Sequence, residues 1–461
     1  MRPDLSRIGR NLSHLFTQPD FGHIGRNLWQ LVARPYPEDG TNNEQRYGLQ
    51  MLWWDGLLSS ISVAFFADFE VLYLLALGAS SATIGARASV TSGVALLAPL
   101  AGAWLVSATG KRKRWVLLSA GGIGRIALLL SALAPLLIVR TGPVITMVLV
   151  LAAIRAFMGA VSVPPFNSLF GDLVPDAIRG RYTGARMMAA SAVTVVTLPV
   201  AGFLIQSIGG VGGFQITLLL AALFGFGATY FFARVPDVPG AESAATAASG
   251  FGEGLRHFRH DKTFVLFCII NFIWTLGLQV SAPFFSVHMV ENLGFGVDTI
   301  SLLATIVTLV NVFVVRFAGN LVDQKGAQRV TALGMLLVPL MPLGWIFART
   351  PFEVGLVRVY GIIAWAGVHV AAMPLMLRIT PPRFRAQFIA IFNTINGVAS
   401  IIGPLPAAWL YATYGFNANL IVSAVIRFVG AILFLIAMAR GSFSEGERLP
   451  IRILPSALTR G

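Results

Sequence analysis

Charge is scarce in this sequence, and cysteine and lysine are scarcer. Asp, Glu, Lys and Arg make up 12% of its 461 residues, against 56% hydrophobic residues. A soluble protein of this length carries roughly twice that charged fraction. The single cysteine, Cys268, lies inside an apolar run, which excludes an internal disulfide and argues against a cysteine-based metal site. No Walker loop occurs, so ATP-driven export by this chain alone is not expected. No nucleophile–base–acid set and no metal-spaced His/Cys cluster occurs either; neither an enzyme nor a cofactor is expected. The first 48 residues are polar and basic, with no short apolar core ahead of a small-residue cleavage site, so the first spanning helix is expected to target the chain.

What the sequence does contain is a recurrence of charge-poor stretches, each long enough to cross ~30 Å of hydrocarbon in ~20 residues. They predict an all-α membrane protein of twelve spans, at 50–76, 83–108, 114–138, 143–170, 184–208 and 212–233, then 263–290, 298–322, 328–347, 352–377, 386–412 and 417–439. Between Pro236 and Lys262 the composition shifts to Gly, Ala, Ser and charge, which reads as a linker. The expected organisation is an N-terminal arm (1–48), a six-helix bundle (49–234), the linker (235–262), a second six-helix bundle (263–440) and a tail (441–461).

The net charge of +14 is explained by where it falls. Alternate connections carry the arginines of the arm, Lys111 to Arg114, Arg179/Arg181/Arg186, the linker, Lys325/Arg329, Arg378/Arg383/Arg385 and the tail; the opposite connections carry only Arg140 and Arg349, with Arg87 just inside the outer end of span 2, near enough to the end to snorkel to the surface. The positive-inside bias therefore places both termini and the linker in the cytoplasm of a cell-membrane protein. No nucleic-acid signature accompanies the basic runs, so the expected partners are a small molecule, protons and a bilayer with an anionic inner leaflet, with the protein acting as a monomer. The arm repeats with period 16: Asp4 to Leu12 returns as Asp20 to Leu28. Ile8, Leu12 and Leu15 share one helical face, as do Ile24, Leu28 and Leu31, which suits two short amphipathic helices on a membrane surface or a partly ordered tail.

The halves are related to each other. Ala103 to Lys113 follows span 2 and Gly319 to Arg329 follows span 8; Pro175 to Tyr182 follows span 4 and Pro381 to Phe388 follows span 10. Two parallel six-helix repeats are the sequence sign of an alternating-access transporter. Gly319 to Arg329 resembles the signature loop of the major facilitator superfamily, G-x-L-x-D-x-x-G-x-x-[RK]. The first-half copy differs, with Ala103 for the leading glycine and Ser107 for the aspartate. The resemblance implies a two-bundle carrier whose halves latch at this loop, through Gly319, Asp323, Gly326 and Arg329, with Gly110, Lys111 and Arg112 as the first-half counterpart. Leu151-x-x-x-Arg155-x-x-Met158-Gly159 is similar to the family's proton-coupling motif, with Met158 in place of glutamine. Leu198 to Gly202 keeps only the tail of its antiporter motif.

Asp68, Glu70, Arg125, Arg155 and Arg427 sit deep in their spans, where five uncompensated charges would cost ~15 kcal/mol by insertion scales. On an ideal helix Asp55, Ser59, Ser62, Glu70 and Tyr73 form one stripe, expected to face a central cavity, with Asp68 pointing elsewhere. A carboxyl group that moves between a low-dielectric site and an arginine can bind and release a proton. Glu70 is thus the expected proton carrier, Asp68 the alternative, and Arg155 or Arg125 the partner; a fixed structural ion pair is the competing reading. Asp55, Ser59, Ser62, Asn271, Trp274, Gln279, Asn311, Asn393 and Asn396 are candidate cavity residues, although such polar groups also bond neighbouring helices. His369 reads as a packing residue. Three functions follow in order: proton-coupled efflux of amphipathic compounds, import of a sugar or organic solute, and a non-transporting sensor that keeps the fold.

Overall fold

A computed structural model describes residues 41–236, 257–381, 385–441 and 443. The duplicated arm, most of the linker, the turn at 382–384 and most of the tail lie outside the described residues. The described chain is helical throughout, and its helices form the twelve expected spans. They are α1 (Asn43–Phe66, resuming as Glu70–Ala76), α2 (Ser81–Thr109), α3 (Arg112–Leu137), α4 (Thr141–Leu173), α5 (Asp176–Ile208) and α6 (Gly210–Ala233) in the first half. The second half has α7 (Lys262–Glu291), α8 (Val297–Lys325), α9 (Ala327–Phe347) and α10 (Pro351–Ile379). Its last two helices run as one apolar stretch of 53 residues, which Gly415 breaks at φ 79°, separating α11 (385–414) from α12 (416–439).

Local chemistry explains where the elements begin and bend. Asn42 accepts a bond from the Gln45 backbone while the Gln45 side chain returns one to the Asn42 N–H, a capping box that starts α1 seven residues before the hydrophobic run. Residues 67–69 interrupt the same helix between Phe66 and Glu70. In α3 the glycines at 121, 122 and 124 accompany a π-helical stretch, Leu117–Gly124, immediately before Arg125. Such bulges re-aim the side chains that follow them.

Call the face bearing Lys111, Arg179, Lys325 and Arg378 the basic face. At the opposite face a single apolar cluster takes in both halves, with Phe65, Leu128, Leu198 and Phe214 packed in the same core as Phe284, Ile300, Leu303 and Tyr411. At the basic face the cores are separate: Leu49, Leu173, Tyr182 and Phe232 in the first half, Phe264, Met335, Phe388 and Phe434 in the second. Close backbone approaches between the halves also lie toward the opposite face. A side chain at Gly85 would meet Ala408 and the Pro404 carbonyl, at Gly202 it would meet Ser301, and at Gly397 it would meet Leu96. Small residues permit this intimacy between helices.

The contact face of α2 can be followed along the helix. Gly85, Gly93, Leu96, Leu100, Ala103 and Ser107 fall within about 80° of one another. Gly85, Gly93 and Leu96 pack on α11, whereas Leu100 is 69% exposed and Ala103 and Ser107 are exposed as well. On α11 the corresponding face packs at Gly397, Ile401 and Ala408 and is exposed at Ala390, Asn393 and Thr394. The two halves therefore close at the opposite face and part toward the basic face.

Candidate functional site

Glu70 is buried at the start of the second segment of α1, where it meets two arginines. Arg155 of α4 donates to its Oε1 at 2.5 Å, and Arg87 of α2 donates to its Oε2. The Arg155 guanidinium also lies over the Phe66 ring, 4.4 Å from its centroid. A carboxylate buried to 7% exposure is tolerated in hydrocarbon because both its oxygens are charge-paired. Of the two partners expected for Glu70, Arg155 makes the contact, whereas Arg125 bonds Ser59 and Ser62. Arg87 was expected to reach out to the membrane surface and instead turns in. Asp68, two residues earlier, lies within the break and is exposed there, where the charge of Arg358 from α10 acts on it.

A second charged group lies nearer the basic face. Arg186 of α5 donates to Asp55 Oδ2 at 3.1 Å, and its guanidinium fills the space that a side chain at Gly56 would take. Arg125 leaves the π-helical stretch of α3, crosses the bare backbone of Gly225, and donates to Ser62 Oγ at 3.1 Å and Ser59 Oγ at 3.2 Å. Around these groups is a cavity of about 260 Å³ whose polar lining is Asp55, Ser59, Arg125, Ser162, Asn167, Arg186 and Thr229. A neighbouring hollow shares Ser59 and Arg186 and reaches Met187 and Thr194 on α5. Met187, at the rim of this hollow, is 68% exposed.

The stripe expected on α1 does not face one cavity. Asp55 and Ser59 line the space just described, but Ser62 is fully buried and donates to the Ala221 carbonyl of α6 at 2.6 Å. Ser62 is therefore corrected from a cavity residue to a helix–helix bond that also holds Arg125. Tyr73 likewise donates to the Ser131 carbonyl of α3 at 2.8 Å. The physical reason is that α1 packs closely on α3 and α6, and its break at 67–69 spoils a fixed rotation of 100° per residue.

In the second half Thr275 of α7 donates to the Asn396 amide oxygen of α11 at 2.9 Å. Asn271 donates to its own helix at Phe267, and Gln279 packs beside Gly403. Trp274 is buried edge-on to Trp365, which in turn stacks on His369, so Trp274 and His369 are packing residues. Asn311 and Asn393 are exposed. At the basic face Gly110 and Gly326 adopt φ values of 68° and 82°, the turns expected of the repeated loops. Arg112 binds Asp172 and Ser168 at the end of α4, a contact inside the first half. Lys111, Asp323 and Arg329 are exposed, and among the described residues Asp323 makes no ion pair.

Two related six-helix halves, closed at one membrane face and parted at the other around buried charge, define a multi-pass membrane protein of the two-bundle carrier architecture. The model of the Major Facilitator Superfamily matches residues 55–285 and 267–452, and the chain belongs to that family. It is 24% identical to the multidrug resistance protein MdtG of Proteus mirabilis over 409 residues, 85% of this chain and 96% of that protein. To MdtG of Enterobacter lignolyticus it is 22% identical over 418 residues, 88% and 95% of the two chains. Among solved structures it is similar to a variant of the nucleoside transporter NupG, with a TM-score of 0.69 at 16% identity over 85% of this chain and 99% of that one. A D-xylose–proton symporter gives a TM-score of 0.63, again at 16% identity, over 84% and 97%. These structural likenesses establish the fold.

Proposed function

We propose that this chain exports small amphipathic molecules from the cytoplasm by rocking its two halves, with a proton on Glu70 coupled to the movement. The positive-inside bias makes the basic face cytoplasmic, so the described conformation is open inward. The observation that carries the reading is the position of Glu70: buried between Arg87 and Arg155 on the closed side of a molecule that is parted on the other. Water reaches such a group only when the closure changes sides, which is what a coupling site requires. The names of the MdtG proteins support export of foreign compounds as the purpose. In proteoliposomes, transport is expected to accelerate when a pH gradient is imposed; a rate indifferent to that gradient contradicts the coupling. The carrier works as a monomer, which its molecular mass in detergent or nanodiscs tests, with both termini in the cytoplasm, which thiol labelling of cysteines introduced at the termini tests in intact cells.

A second reading, import of a polar solute, draws on the Thr275–Asn396 pair and the exposed Asn393, since hydroxylated solutes need such partners. Accumulation of a sugar or nucleoside by energised cells expressing the protein distinguishes it from export.

A further inference from the structure

The charges of the first half do not balance. Four guanidiniums (Arg87, Arg125, Arg155 and Arg186) face two carboxylates, Asp55 and Glu70. Both oxygens of Glu70 are committed, one to each of Arg87 and Arg155. Asp55 is left to Arg186 and Arg125, and among the described residues Arg125 has only the Ser59 and Ser62 hydroxyls for hydrogen-bond partners, with its Nε buried and unbonded. The charges of Arg125 and Arg155 also act on each other. Surplus positive charge in a poorly hydrated site is costly unless something anionic arrives to meet it.

The surplus is exposed at one place. Arg125 and Arg186 both line the cavity of about 260 Å³, with Ser162 and Asn167 offering hydrogen bonds and Phe166 and Phe232 apolar walls. We propose that the passenger carries an oxyanion, of the carboxylate or phosphate type, and that Arg125 and Arg186 hold it in this cavity beside Asp55. Guanidinium forks are suited to such oxygens, singly or in pairs. The volume suits the head of an amphiphile, with the neighbouring hollow past Met187 and Thr194 left for its apolar portion. This inference rests on the carrier reading but not on Glu70 as the coupling site. An inside-negative membrane potential expels an anion, so the passenger's own charge assists export.

Asp55 competes with such a passenger for Arg186. The charged groups around Asp55 are Arg186 from α5 and Arg125 from α3; α4 and α6 present only Ser162, Asn167 and Thr229 to the cavity as polar groups. Protonating Asp55 therefore releases Arg186 and strengthens anion binding, which reverses the competition expected for a cation. The test uses the full-length protein in nanodiscs, with calorimetric binding of octanoate, octyl phosphate, octyltrimethylammonium and octanol at two pH values. Octanoate or octyl phosphate, whichever names the head group, is expected to bind at least tenfold more tightly than the ammonium compound and the alcohol, and more tightly at the lower pH. Arg125→Gln and Arg186→Gln are each expected to weaken anion binding at least tenfold. Asp55→Asn is expected to tighten it severalfold and remove its pH dependence, a gain that misfolding does not produce. Tighter binding of the ammonium compound, or anion binding untouched by both arginine substitutions, overturns the proposal. Proteoliposome flux of the same four compounds separates the two claims. Transport of the ammonium compound alone ends the anion proposal and leaves the carrier; anion binding at this site without any flux does the reverse.

Discussion

Arg87, Arg155 and Arg186 in the first half each end on a carboxylate, whereas Arg427 in the second half ends on the Ser281 hydroxyl at 2.6 Å and, more distantly, on the Leu278 carbonyl. The second half is built from the same six-helix repeat and buries Arg427 without an acid, while Arg358 on α10 is acted on by the charge of Asp68 from the first half. Among the described residues its pairings between spans include the neutral ones of Thr275 with Asn396 and Ser281 with Ser423, while Glu291 accepts from Tyr411 toward the closed face. Two halves of equal topology thus differ in electrostatic content: among the described residues the carboxylate–guanidinium pairs between spans lie in the first half, and hydroxyl and amide bonds prevail between spans in the second. On the carrier reading proposed above, the working chemistry lies in the first half and the second is mainly the surface against which it rocks.

The largest effect that sharpens this contrast is expected from Glu70→Gln. It leaves Arg87 and Arg155 facing a neutral amide, and removing one member of a buried charged group costs about 3–5 kcal/mol. A fall in melting temperature with a loss of gradient-driven transport of at least tenfold is expected. Full retention of both breaks the comparison. Gly225→Ala comes next. The new methyl meets Arg125 Cδ at 2.7 Å and Nε at 2.8 Å, so the flexible arginine must shift off Ser59 and Ser62. Loss of those two hydrogen bonds, at about 1 kcal/mol each or less, is expected to raise the KM for transport severalfold while the protein stays folded. The smallest effect belongs to Arg427→Leu. Exchanging a buried cation that has no counter-charge for an apolar side chain is expected to change stability by no more than ~1 kcal/mol, or to raise it, with transport intact. If this variant fails as Glu70→Gln does, the second half is not electrostatically quiet.

The twelve spans were legible because a membrane demands runs of apolar residues and because basic residues mark alternate connections. The exact entry of α1 was not, since the Asn42–Gln45 capping box lies in polar sequence ahead of the hydrophobic run. Of the site, the Glu70–Arg155 pair could be read from the cost of burying both charges. Arg87 and Arg186 were misjudged for one reason: each lies close enough to a helix end to be credited to the membrane surface or the basic loops. The signal that could have found Arg186 is Gly56 beside Asp55, and for Arg125 it is Gly225, bare positions over which a long side chain passes. Helix rotation alone could not say that Ser62 and Tyr73 bond α6 and α3, because that depends on which neighbours pack against α1.

Ser59 lines both the charged cavity and the hollow beside it and is the place to test whether access to the first half alternates. With Cys268 buried and replaced by alanine, Ser59→Cys puts one small thiol there. Reaction with a membrane-impermeant thiol reagent is to be measured from each side of sealed vesicles, with and without a passenger and a gradient. The account predicts ready labelling from the cytoplasmic side at rest and new labelling from the outside during turnover. A thiol that reacts from one side only under every condition contradicts it.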